Sequence, residues 1–206
     1  VKNRFIALLA MLALCLGLGV VATSPASAYI DDPYINGRKF WTTSICIGTT
    51  LLPSYYRVGY VAQSINNNTI MPSLQVSTNC QAAGYGPSAR MVVGTFQNAS
   101  YPYCTLFTNQ QHDVYNGYWR WTNGPGLYLN TGLPGCVSTQ VQRDHWISQM
   151  IAWHLGLNTL DAGASQDRVM DIGAYSRDHV PLPIGAEYSK IDAVYLGLFC
   201  DSGTTC

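Results

Sequence analysis

Few residues in this sequence are equipped for acid–base or metal chemistry. There are four histidines (His112, His145, His154 and His179) and one glutamate, Glu187, beside ten aspartates. Two histidines directly follow an aspartate, in Asp144-His145 and Asp178-His179. A neutral imidazole exchanges protons or ligates a metal, and a nearby carboxylate fixes its tautomer. Adjacency in sequence does not build a triad, however, and no serine is marked as a nucleophile. Nucleophile-elbow, phosphate-loop and dinucleotide glycine patterns are absent. No pair of carboxyl groups is singled out for glycoside hydrolysis. Zinc needs nitrogen, sulfur or carboxylate donors in a near-tetrahedral array. His145 and His154 are nine residues apart, which puts them on opposite faces of a helix. A zinc site would therefore have to gather His145, His179 and Asp161 from separate segments. For His154 the simpler expectation is a hydrogen-bonded histidine within an apolar face.

The element that carries these histidines is a helix. Thr139 and Gln142 form a T-x-x-Q capping box, and the helix is predicted to run to about Leu155, where Gly156 supplies a C-terminal stop. At 100° per residue, Trp146, Ile147, Met150, Ile151, His154 and Leu155 share one broad face. That face is expected in the core. Gln149 and Trp153 fall just beside it, and His145, one turn before Gln149, is expected to face a cleft.

The run Gln149-Met150-Ile151-Ala152-Trp153-His154-Leu155-Gly156-Leu157-Asn158-Thr159 is followed by Arg168-Val169-Met170-Asp171 and by Ser189-Lys190-Ile191-Asp192-Ala193-Val194-Tyr195-Leu196-Gly197. This order resembles the metzincin clan of zinc proteases, in particular its matrixin-like branch. Members carry H-E-x-x-H-x-x-G-x-x-H, or a terminal Asp, then a Met-turn and a C-terminal helix. Aligned by its Gly-Leu pair, the resemblance puts Gln149, Trp153 and Thr159 at the ligand positions and Met150 at the position of the general base. Met170 stands in the Met-turn. The fold implied is α+β: a twisted mixed sheet, a helix after the first strand, an active-site helix, a Met-turn and a C-terminal helix. The chemistry does not follow. An indole N–H donates a hydrogen bond and offers no lone pair to a cation, and neutral amide or hydroxyl oxygens suit zinc poorly. No metal ligand and no catalytic residue is therefore assigned at these positions.

Lys2 and Arg4 precede an apolar run from Phe5 to Ala22, and Ala26-Ser27-Ala28 reads as a cleavage site. Residues 1–28 are thus expected to be a secretory signal peptide and 29–206 the metzincin-like domain. After cleavage the chain would carry nine basic against eleven acidic residues, with no clustered basic face for nucleic acid and no membrane anchor. Six cysteines remain (Cys46, Cys80, Cys104, Cys136, Cys200 and Cys206). In an exported chain these imply up to three structural disulfides whose pairing the sequence leaves open.

Strands are expected over Lys39–Thr49, Ser73–Ser77, Arg90–Phe96 and Cys104–Phe107. A helix is expected from Pro53 to about Asn66, with Tyr55, Val58, Val61 and Ile65 in one buried stripe. Gly126–Asn130, after a Gly-Pro-Gly turn, resembles the edge strand that metzincins place above their cleft. Leu127, Tyr128 and Leu129 thus join His145, Gln149 and Trp153 as candidate cleft residues. In the terminal helix Ile191, Val194, Tyr195 and Leu198 are spaced for packing.

Three functions follow. The leading expectation is a secreted metallopeptidase homologue without catalysis or cofactor, binding a peptide or protein segment by strand addition in the former cleft. Trp153 would either plug that cleft or floor it. The second is an active zinc-dependent endopeptidase with a rebuilt site. The third is carbohydrate binding on an aromatic platform of Tyr115, Tyr118, Trp119 and Trp121, against which stands ordinary core packing of the same rings.

Overall fold

A computed structural model describes residues 38–49, 52–70, 72–115, 118–158, 169–170 and 178–199. The fold is α+β. In chain order the strands and helices are β1 (Arg38–Lys39), β2 (Ser44–Gly48), α1 (Val58–Asn68), β3 (Ser73–Ser77), β4 (Arg90–Phe96), β5 (Thr105–Thr108), β6 (His112–Tyr115), β7 (Tyr118–Trp121), β8 (Gly126–Asn130), α2 (Pro134–Val137), α3 (Gln140–His154) and α4 (Gly185–Phe199). Five strands form a mixed sheet in the order β3-β2-β4-β8-β5, and β1, β7 and β6 form a smaller one. In the large sheet only β5 runs antiparallel to its neighbour.

The expected first strand is interrupted. Residues 40–43 leave the ladder, so that β1 joins the small sheet and β2 the large one. Helix α1 begins at Val58, with Val58, Val61, Ala62 and Ile65 buried, an i, i+3, i+4, i+7 stripe. Tyr55 precedes it in a turn and is 54% exposed, so it does not belong to that stripe. The stripe faces the core with Ile45, Ile47, Leu74, Met91, Val93, Leu127 and Leu129 from the sheet. Val92, between the buried Met91 and Val93, emerges on the sheet's other side, as the period-2 alternation of a strand requires.

Two disulfides fasten the sheet. Cys46–Cys80 ties β2 to the turn after β3, and Cys104–Cys136 ties the start of β5 to α2. Cys200 and Cys206 lie outside the described residues, as does the segment 1–28. Among the described residues no helix is long and apolar enough to cross a membrane.

Candidate functional site

Helix α3 starts as its sequence dictates. Thr139 Oγ1 accepts from the Gln142 main chain, and Gln142 Oε1 accepts from the Thr139 N–H, both arms of the capping box. At its other end Gly156 adopts φ 107°. Gly156 N–H donates to Trp153 O and Leu157 N–H to Ala152 O, the paired bonds of a Schellman stop. Between these caps the helix is buried nearly all round. Ile147, Met150, Ile151, His154 and Leu155 lie in the core. Asp144, His145, Ser148 and Gln149 are buried too, so the polar side of α3 faces protein rather than an open cleft.

The hydrogen bonds identify that protein. Gln142 Nε2 donates to Asp178 at 2.7 Å, and Ser148 Oγ to Pro181 O at 2.8 Å. His145 Nδ1 lies 2.8 Å from Val180 O. Gln149 Nε2 donates to Val169 O at 2.9 Å. The spacing 142, 145, 148, 149 makes one stripe along the helix, and the chain returning after α3 runs against it. The returning chain is also held by Glu187. This buried carboxylate accepts from Met170 N at 2.8 Å, Val169 N at 3.3 Å and Ile184 N at 2.9 Å. The Ile184 bond is the reverse arm of a capping box at the start of α4. Met170 itself is buried, as core packing alone would also make it.

Trp153 sits at the last turn of α3. Its ring lies parallel to Phe107 of β5, with centroids 5.1 Å apart and 6° between planes. Trp121 and His154 complete the cluster: Trp121 Nε1 donates to His154 O at 3.2 Å, and His154 Nδ1 is 2.8 Å from Met150 O. His154 is thus the buried, bonded histidine that its face predicted.

Several expected site residues stand elsewhere. The strand β8 is not an edge: β4 flanks it on one side and β5 on the other. Leu127 and Leu129 are core residues, and Tyr128 points to the opposite face. There its ring lies across Gly94 and Gly126, where an added Cβ would come within 2.8 and 2.6 Å of it. Among the described residues the strands at the edges of this sheet are β3 and β5. His145 is fully buried while His179 is exposed, so they do not face one cleft. Thr159 and Asp161 lie outside the described residues. Trp121 is fully buried and offers no sugar platform; the side chains of Tyr115, Tyr118 and Trp119 lie outside the described residues.

Zinc does not fit Gln149 and Trp153. Gln149 is committed to a main-chain carbonyl, Trp153 is stacked on Phe107, and neither carries a donor that zinc prefers. Among the described residues no group of three or more His, Cys, Asp or Glu is placed to hold a metal.

Sequence reasoning missed one charged pair. Asp144, fully buried, accepts from Arg57 just before α1 and from Gln140 Nε2 at 2.8 Å. Its partner lies 87 residues away, so no local pattern announces it. No protein-family model matches the chain, and no curated protein matches it.

Proposed function

We propose that this chain is a secreted, metzincin-like domain that does not hydrolyse peptides and instead binds an extended segment along β5. The observation that supports it best is the stripe on α3. Side chains at and beside the former ligand positions, Gln149 and His145, bond the returning chain, while Trp153 packs beneath β5. Three places where a metal site would need freedom are thereby engaged in holding the fold.

The binding half of the proposal follows from the ladder. Asn130 N–H donates to Cys104 O, so Cys104 faces β8. Direction alternates along an antiparallel strand, and the main-chain groups of Thr105 and Phe107 therefore point away from it. A sheet edge of this kind accepts an added strand through main-chain hydrogen bonds without a metal. Elemental analysis of purified protein dialysed against zinc is the first test, with casein hydrolysis assayed alongside. No stoichiometric zinc and no cleavage are expected; tightly held zinc with chelator-sensitive cleavage would overturn the proposal. Thr105→Pro removes an outward N–H while leaving the β8 ladder intact, so it is expected to abolish capture of peptides retained by the wild type.

A further inference from the structure

On the side of the large sheet away from α1 and α3 lies a pocket of about 590 Å³, within the range of small-ligand sites. Val92 forms part of its floor beside Gly48. The disulfide Cys46–Cys80 fixes one wall, the turn carrying Asn79 and Gln81, to β2. Gly124 closes the other wall: a Cβ there would stand 2.8 Å from Arg90 O, so only glycine lets the segment approach β4 so closely. Asn109, at φ 52°, ends β5 at the rim; asparagine is among the few residues that tolerate this conformation.

The polar groups are arranged by type. Asn79 Oδ1 accepts from Ala82 N at 3.0 Å, and Asn123 Oδ1 from Gly124 N at 2.9 Å. Each amide is anchored through its oxygen, which leaves its NH₂ to bond outward. Arg90 adds a guanidinium, the fork that binds carboxylates bidentately. Among the described residues it has no carboxylate partner, and no acidic residue lines the pocket. Gln81 and Asn109 contribute further amides, which donate and accept at once, as sugar hydroxyls do.

We propose that this pocket binds an acidic saccharide, with the sugar carboxylate on Arg90, hydroxyls on Asn79, Asn123 and Gln81, and the ring against Val92. The site touches β5 only at its end, away from the outward main-chain groups of Thr105 and Phe107, and stands whether or not the domain binds peptide. The test is calorimetric titration of the whole secreted protein with digalacturonate, its methyl ester and succinate. Digalacturonate is expected to bind at least about tenfold more tightly than either comparator, as one charge-assisted bidentate contact implies. Arg90→Gln should remove that preference, with thermal melting unchanged, and Arg90→Lys should restore part of it. Equal binding of acid and ester, succinate binding as well as the sugar, or no binding of digalacturonate would each overturn the assignment. An unchanged preference in a folded Arg90→Gln would do the same.

Discussion

Gln149 donates its side-chain amide to the carbonyl of Val169, 2.9 Å away and 20 residues later in the chain. A buried side chain of α3 thus holds the chain at Val169 directly. Gln149→Ala leaves a buried carbonyl without its donor, at a cost of about 1–3 kcal/mol, measurable as a lower urea midpoint. Gln149→His is expected to bind no zinc by titration, because Trp153 remains stacked on Phe107. Zinc uptake by that single variant would show that the site is closer to function than its packing implies.

The clasp has a second anchor in Glu187. Its carboxylate accepts three main-chain N–H groups, from Val169, Met170 and Ile184. Glu187→Gln retains the shape but turns an NH₂ toward donors, so one bond is lost and a repulsive contact replaces it. Hydrogen exchange at Val169, Met170 and Ile184 is expected to accelerate together, with a stability loss of about 2 kcal/mol. Acceleration at Ile184 alone would mean that Glu187 is only a helix cap.

Arg57 and Asp144 predict an asymmetry. The carboxylate is fully buried, whereas the Arg57 side chain is 45% exposed. Removing the arginine strands a charge that, among the described residues, keeps only Gln140 as a partner. Removing the acid releases a guanidinium that water can solvate. Arg57→Ala is therefore expected to cost about 3 kcal/mol and Asp144→Asn about 1. Chemical denaturation of both single variants and the double variant checks this, and equal costs would refute it.

Local signals in the sequence were strong where the cause is local. The strands Ser73–Ser77, Arg90–Phe96 and Gly126–Asn130 have the bounds that alternation and turn residues predict. The Thr139–Gln142 cap and the Gly156 stop are formed by neighbours in sequence, so both can be read directly. What failed depends on distant partners. Gly126–Asn130 looks like an edge until β5 folds back on it, a pairing that the strand's own residues do not encode. His145 looks accessible on a helical wheel, yet Val180 covers it from 35 residues away. The Gln149 clasp is hidden for the same reason, since its acceptor is a main-chain carbonyl and carries no side-chain signature.

Lys39 gives the prediction with the clearest sign. It lies in β1 with only 2% of its surface exposed, and Nζ donates to Val194 O of α4 at 3.4 Å. Burial disfavours the ammonium and lowers its pKa from 10.5 to about 7. In the unfolded chain the amine keeps its proton up to the ordinary value. Between these two values the unfolded state binds the extra proton, so raising the pH across that window stabilises the fold. Below about pH 7 both states are charged, and the full penalty of burying the ammonium applies. From pH 7 to 9 the wild type is expected to gain about 2 kcal/mol relative to Lys39→Met, in which nothing titrates at this position. The same replacement should stabilise the protein most at acidic pH, where an apolar chain of similar length fills the site without a charge. Urea unfolding of both proteins at several pH values measures the difference. A flat difference would mean that the buried amine keeps its proton throughout, held by acceptors stronger than the Val194 carbonyl.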